Sequence, residues 1–528
     1  MEVIILWLFT AISVLVSIIF VRKLLTKSDN EFRLPPGPRK LPVIGNLHQL
    51  AAKNKPPHRR LEELARVYGP IMHLRLGEIS TVVVSSAEGA REVLKTHDIH
   101  LASRPELVAP KVLFYNNSGI AFARYGEQWR ELKKMATLGL FTAKRVQSFR
   151  EIREEEASKL IKSIASEAAS GSVVNLSDKL FSLIFNITSR IVCKKEGEDQ
   201  ETFRVVVTNL LDAISVSYIA DLYPSIKWLD SISGLRRKLK EMVKDSDRLL
   251  DPIIEEHISK NKQGKAMESL VDDLLKLHKD NLADGTDHSF SSTFSNIKAV
   301  ILVRDHALFS IKLVSRIYPG MHIYVQEIFT AGSETSLSVT EWAMSELLRN
   351  PKLMETAQAE VRKVYKSKGM VDESSLNELN FLKLVIKETL RLHFVAPLLA
   401  PRECIEHCHI HDYDIPPKTR ILVNAWAIAR DPKYWTDPDL FMPERFEASS
   451  LDYKGTNFEF IPFGAGRRMC PGVALGIVHI ELPLAALLYH FDWKLTVGLR
   501  PEDLDMDEVC GLTVRRKNPL HAIAIPYI

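Results

Sequence analysis

Cysteine is scarce in this chain: five in 528 residues, at 193, 404, 408, 470 and 510. A sparse, odd-numbered set argues against a disulfide framework and fits a reducing compartment. Charge of one sign is scarce too. The net charge is +4, too small to argue for a nucleic-acid partner. The interior lacks any Pro-rich, Gly/Ser-rich or single-sign charged linker. Length alone would suggest roughly two to four domains. Without linkers, the chain reads as one large domain with a small appendage.

Long hydrophobic runs are missing with one exception. "VIILWLFTAISVLVSIIFV", residues 3 to 21, is polar only at Thr10, Ser13 and Ser17. At 1.5 Å per residue it spans roughly 28 Å, about the thickness of a bilayer core. Arg22, Lys23 and Lys27 follow at once, which keeps the body on the cytoplasmic side. A cleaved signal peptide would have a shorter apolar region, preceding charge and a small-residue cleavage site. Residues 1–24 are therefore expected to be a single-pass anchor. Residues 25–50 are expected to be a stiff, Pro-rich hinge, in which Pro35, Pro36 and Pro38 of "PPGP" forbid helix. Residues 51–528 form the body.

Strand-like runs occur at 71–77 and 80–86, separated by Gly77 and Glu78 as in a hairpin. From about 126 to 390 apolar stripes of helical period dominate, including 269–280, 350–365 and 379–394. Strand-like runs return at 407–415, 419–424 and near the C-terminus. The expected class is mainly α with a smaller β portion.

The chemistry concentrates at "FIPFGAGRRMCPG", residues 460–472. Gly464, Gly466 and Gly472 allow backbone shapes barred to other residues. Arg467 and Arg468 beside Cys470 would favour thiolate over thiol. The loop suits a thiolate presented at a tight turn to a group held close against the backbone.

The order Phe463, Gly466, Arg468, Cys470, Gly472 resembles the haem-ligand loop of the cytochrome P450 superfamily. That resemblance implies haem b with Cys470 as axial thiolate, pushing electron density toward O–O cleavage. It implies Arg468 on a haem propionate, Phe463 packed by the sulfur, and Gly466 and Gly472 turning the loop. Other landmarks agree in order along the chain. "KETLR" places Glu388 and Arg391 one helical turn apart, and "PERF" adds Arg445 as third member of a structural network. "AGSET" resembles the oxygen-binding groove of a distorted central helix, with Thr335 at the oxygen and Glu334 relaying protons. "YGEQWRELKK" resembles the helix over a propionate, with Trp129 in place. The family usually has Arg where Lys133 stands, and lysine cannot form the bidentate fork. Arg402 in "APRE" matches another propionate-facing position.

With "EWAMSELLRNP" and "LTVRRK", the chain after residue 30 is similar to plant microsomal members, in the clan oxidising terpenoids, phenylpropanoids and alkaloids. That implies electrons from NADPH through a cytochrome P450 reductase, O2 as co-substrate, a lipophilic substrate, and the endoplasmic reticulum membrane with the catalytic domain in the cytosol. Pocket positions implied are Phe114, Phe329, Val395, Leu398 and Leu512, all apolar. Two alternatives stay open: a haem-thiolate isomerase working without reductase, and a fold homologue whose turnover is impaired.

"ECIEHCHIHDY" holds Cys404, His407, Cys408, His409 and His411, residue types that suit zinc. Alternating histidines share one face of a strand, and three on one strand do not form a tetrahedron, so a zinc site is not expected.

The family's central helix should run from "SNIKAVIL" (295–302) straight into "EIFTAGSET" (327–335). Here 24 residues, 303–326, intervene. Valine codons begin GT and Gln326 can be encoded CAG, the dinucleotides that bound introns. A retained intron and a natural surface insertion are the two readings. The helix is expected to stop near Leu302 and resume near Glu327, with the chain turning at Pro319-Gly320.

Overall fold

The computed structural model describes residues 7, 10, 32–51, 55–194, 200–216, 218–226, 228, 233–262, 269–273 and 319–527. The expected anchor lies outside the described residues apart from Trp7 and Thr10, as does the expected insertion up to residue 318.

The architecture is mainly helical with small sheets, as the periodicities predict. β1 (Ile71–Leu76) and β2 (Ile79–Val84) form the expected hairpin, and Gly77 takes φ +65° at its turn. β3 (Arg402–Glu403), β4 (Cys408–Ile410), β5 (Tyr413–Ile415) and β6 (Arg420–Val423) follow. The largest sheet has the order β1-β2-β6-β3, with β2 and β6 parallel and the other pairs antiparallel. β4 and β5 stand apart as a two-stranded hairpin. β7 (Glu508–Cys510) and β8 (Val514–Arg516) make a second.

Among the helices, α1 (Glu127–Met135), α2 (Leu176–Cys193), α3 (Pro319–Arg349), α4 (Pro351–Tyr365), α5 (Asn380–Leu392) and α6 (Val473–His490) build the site and its support. α6 is apolar and long enough to cross a bilayer, yet 67% of it is buried within the protein. It is a core helix.

α3 is the long central helix, and it corrects an expectation. Its described part begins at Pro319, ahead of Glu327, so Pro319-Gly320 is helical and not a turn between segments. α3 buries Ser333, Ser336, Ser338, Thr340, Glu341, Ser345 and Glu346, an unusual load for a core element. The hydroxyls are satisfied locally. Thr330, Thr335, Thr340 and Ser345 each donate to the carbonyl four residues back, at 2.6–2.9 Å. Ser338 reaches across to the Val514 carbonyl at 2.9 Å.

The network expected at Glu388, Arg391 and Arg445 is present. Arg391 meets Glu388 through two bonds of 2.7 and 2.8 Å, with both side chains fully excluded from solvent. Arg445 Nε reaches Glu388 Oε1 at 3.0 Å, and the Met442 N–H adds a bond of 2.9 Å. Arg391 also donates to the Ala429 and Pro438 carbonyls, at 2.8 and 2.7 Å. Removing one partner of such a pair strands the other charge in the interior. Glu388→Ala is expected to destabilise the fold by about 3–5 kcal/mol, read as a fall in the urea midpoint. An unchanged midpoint would show that the pair does not brace the fold.

Candidate active site

The loop 460–472 is shaped by close approaches. Gly464 and Gly466 take φ +70° and +69°. A Cβ on Gly466 would lie 2.0 Å from the Leu94 carbonyl oxygen and 2.7 Å from Asp98 Oδ2. Only glycine fits there. Gly472, expected to serve the same purpose, has φ −91° and ordinary space around it. Its N–H faces the Cys470 sulfur instead. The Cys470 N–H bonds the Phe463 carbonyl at 3.0 Å, closing the turn. The Phe463 ring packs edge-on against Tyr453, with centroids 5.8 Å apart.

Arg467 and Arg468 do not charge the sulfur, contrary to the reading of the sequence. The Arg467 N–H binds Asp98 Oδ2 at 2.7 Å. Arg468 donates to the carbonyls of Ala102, Ile120 and Ala123 and lies 4.2 Å over the Trp129 ring. Lys133 is the cation near the sulfur. Its Nζ donates to the Met469 carbonyl at 2.5 Å, which places it beside the cysteine and not in the bidentate role of the family's arginine. Burial pushes the Cys470 thiol up, and the Gly472 N–H and the Lys133 ammonium oppose that. The Trp129 indole N–H donates to the Ile120 carbonyl at 3.0 Å, sharing that acceptor with Arg468.

Arg402 sits in β3 and pairs with Asp98, Nη1 to Oδ1 at 2.5 Å. Arg104, absent from the sequence reading, is buried beside it and donates to the Ala121, Ala400 and Pro401 carbonyls. Arg104 and Arg402, both buried, and the half-buried Arg468 therefore form a cationic cluster with more guanidinium than carboxylate. Burial, then repulsion from Arg402, brings Arg468 down to about 9. A guanidinium still stays charged at neutral pH. Such a cluster calls for an anion with several oxygens.

α3 passes the loop close by: Ser336 Oγ lies 4.0 Å from where a Gly476 Cβ would stand. Ala331 is exposed although Phe329, Thr330 and Ser333 around it are buried. A Cβ on Gly332 would meet nothing within 4 Å. Cys470 likewise carries exposed surface while the protein encloses it. It faces interior space, not bulk water. Open space at Ala331 and Gly332, an exposed cysteine sulfur and a cationic cluster fit the haem and the Cys470 ligand that the resemblance implies.

A family model described as "Cytochrome P450" matches residues 35–303 and 321–522. The chain belongs to the cytochrome P450 family. The unmatched stretch, 304–320, falls within the insertion suspected from the sequence. The soybean (Glycine max) protein "Cytochrome P450 71D10" is 48% identical, over 95% of this chain and 92% of that one. "5-epiaristolochene 1,3-dihydroxylase" of Nicotiana tabacum is 42% identical over 98% of both. Among solved structures, a zebrafish cytochrome P450 with progesterone superposes with TM-score 0.71 at 26% identity, covering 90% of this chain and 100% of that one. Family membership makes the protein a haem b monooxygenase.

Within this P450, the groove differs from the distorted helix expected. α3 is continuous α-helix through 331–335, and the Thr335 hydroxyl donates to the Ala331 carbonyl at 2.6 Å. Glu334 turns away from Thr335 toward β8 and its approach, at 3.3 Å from Thr513 Oγ1 and 3.4 Å from Arg515 Nη1. Its Oε2 has no partner among the described residues, and burial raises its carboxyl. The five pocket positions are not all brought together. Phe114 and Leu512 share one apolar cluster, with Phe114 stacked on Phe122 at 5.4 Å. Phe329 packs on Phe203 at 4.5 Å, beside a cavity of only about 10 Å³. Val395 accepts the Val514 N–H at 2.7 Å. Leu398 packs on the β1–β2 side with Leu74 and Val83.

Glu327 is the acid that sequence reasoning missed. It lies on α3 eight residues before Thr335, fully buried, and accepts the N–H groups of Ile120 and Ala121 at 2.9 and 3.0 Å. Its signal was a carboxylate opening an otherwise apolar stretch. Burial lifts its carboxyl to about 7, against those N–H groups and Arg468. A carboxyl raised on folding stabilises the native state in acid. That contribution is lost as pH climbs from 4.5 to about 7. Glu327→Gln should remove the dependence: relative to the variant, wild type is expected to lose up to about 3 kcal/mol across that window. Parallel stability–pH curves for the two proteins would contradict this.

Proposed function

We propose that this P450 hydroxylates a lipophilic plant metabolite of the terpenoid class, using NADPH electrons delivered by a cytochrome P450 reductase at the endoplasmic reticulum membrane. The observation that carries the reading is the pairing of the enclosed Cys470 with the Arg104–Arg402–Arg468 cluster. The named activity of the tobacco relative, a dihydroxylase of 5-epiaristolochene, supports the substrate class. The apolar run at 3–21 followed by Arg22 and Lys23 supports a single-pass anchor with residues 51–528 in the cytosol.

Haem held by Cys470 thiolate would supply O2 activation. Arg402 and Arg468, with Trp129, would hold its propionates, and Lys133 would neutralise the sulfur side. Phe463, Gly466 and Gly472 shape the loop around the ligand. Thr335 would present a hydroxyl on the distal side, and Glu334, its carboxyl raised by burial, would hold a proton for the interior while Arg515 and Thr513 orient it. Phe114, Phe329, Val395, Leu398 and Leu512 supply apolar surface against which a hydrocarbon skeleton sheds water. Exposed Lys134 and Arg467 suit an acidic reductase face.

The insertion at 303–326 motivates a second reading, a P450 with impaired turnover. Deleting it would place Ile301 where Val325 stands and Ala299 where Ile323 stands, both buried positions on α3. The apolar register would survive. The shortened chain is expected to retain more haem and turn over faster; poorer folding on deletion would make the insertion part of the native design.

The central reading is tested with purified protein, NADPH and reductase against a panel of sesquiterpenes and diterpenes. Hydroxylated product, together with the haem-thiolate band of the reduced carbon-monoxide spectrum, is expected for wild type and neither for Cys470→Ala. An intact band in the variant would refute the ligand assignment. Product formed without reductase or NADPH would favour an isomerase.

A further inference from the structure

The β4–β5 hairpin carries a donor set that the oxidation chemistry does not use. Alternation along β4 sends Cys408 and Ile410 inward, at 6% and 0% exposure, and His407 and His409 outward. The sequence argument against a metal here supposed three histidines on one strand. His411 is not on the strand; it sits at the hairpin turn with φ +50°. The third group comes from across the hairpin, because the register pairs His409 with Asp414.

The three donors converge. Asp414 Oδ1 lies 2.9 Å from His407 Nε2 and 3.3 Å from His409 Nδ1. All three donor atoms fall within 4.8 Å of one another. The imidazole rings stand 4.9 Å apart and nearly perpendicular, at 82°, so their lone pairs are not forced into one plane. Asp414 is fixed from its other side. Its Oδ2 accepts the Arg33 N–H at 2.7 Å, and its own N–H bonds the Arg33 carbonyl at 2.9 Å. The Phe32 ring sits 5.6 Å from His407. Cys404 and Cys408 are buried, on the opposite side of the hairpin from these donors, and take no part.

We propose that His407, His409 and Asp414 form a divalent transition-metal site that takes zinc. Zinc bound to nitrogen and oxygen at about 2.0–2.2 Å in a tetrahedron needs donors about 3.4 Å apart. The separation of His409 from Asp414, 3.3 Å, already matches; His407 Nε2, hydrogen-bonded to Asp414 at 2.9 Å, exchanges that bond for the metal. Two neutral imidazoles and one carboxylate leave a fourth position for water, the pattern of an open zinc site. The same donors rank copper above zinc, which supplies a spectroscopic probe. The hairpin is exposed and belongs to neither the cysteine loop nor the Glu388 network, so its variants should keep haem.

The test uses untagged, haem-loaded full-length protein titrated with zinc chloride by calorimetry. One zinc per chain is expected. Losing an outer-shell partner already costs 10–100-fold in metal affinity, so His407→Ala, His409→Ala and Asp414→Asn should each weaken binding by at least about tenfold. His411→Ala should bind as wild type. With copper(II), paramagnetic resonance should report two nitrogen donors in wild type and one in His409→Ala. Equal zinc affinity in wild type and the His407→Ala/His409→Ala double variant would overturn the site. So would a loss in His411→Ala as large as that in His409→Ala.

Discussion

Glu388 is a carboxylate with no solvent, holding two guanidiniums that would otherwise be stranded in the core. Three separate stretches end on it or on its partner Arg391: α5 itself, the 429–442 segment through main-chain groups, and the Pro443–Phe446 turn through Arg445. Isolated buried ion pairs seldom add net stability over apolar packing. This one does something packing cannot. It fixes the path of an irregular stretch whose carbonyls need donors, and that stretch leads directly to the cysteine loop. The loop closes on itself through the Cys470 N–H to Phe463 carbonyl bond, and its placement against the rest of the protein depends on the scaffold upstream.

A second constraint is electrostatic. Arg104, Arg402 and Arg468 are held mostly by neutral carbonyls, with Asp98 the carboxylate in direct contact. Carbonyl dipoles solvate a guanidinium without cancelling its charge. The cluster is thus poised for an anion, and family membership supplies one in the haem propionates. Asp98 links this cluster to the loop, since it binds Arg402 with one oxygen and the Arg467 N–H with the other. A change at Asp98 would disturb charge and loop shape together.

Legibility in the sequence followed locality. Cys470, Gly466 and Phe463 lie within one short loop, and Glu388 and Arg391 within one helical turn, so the motifs that carry the family resemblance are local. The hairpins and the helices at 350–365 and 379–394 were legible because their periodicities are local too. Asp98, Arg104 and Glu327 were not. Each acts on residues far away in the chain, and a lone charged residue beside apolar neighbours looks the same whether it faces water or a carbonyl. The charge beside the sulfur was misassigned for the same reason. Adjacency suggested Arg467 and Arg468, whereas the tight turn points both away and a lysine more than 300 residues upstream fills the place. At the β4–β5 hairpin, alternation likewise put His411 on the strand when it sits at the turn, and it left out Asp414 on the partner strand.

The central helix shows how a polar segment can hold the groove in a core. Its hydroxyls satisfy themselves along the helix, so only a few side chains are free to tie it sideways. Those ties bracket the groove. Glu327 fastens the helix to Ile120 and Ala121 about two turns before Thr335, and Ser338 fastens it to Val514 one turn after. Glu334 adds a contact to Thr513 and Arg515 within the groove itself. Every one of these partners lies outside 303–326. The placement of Thr335 therefore rests on bonds made by α3 residues downstream of the insertion.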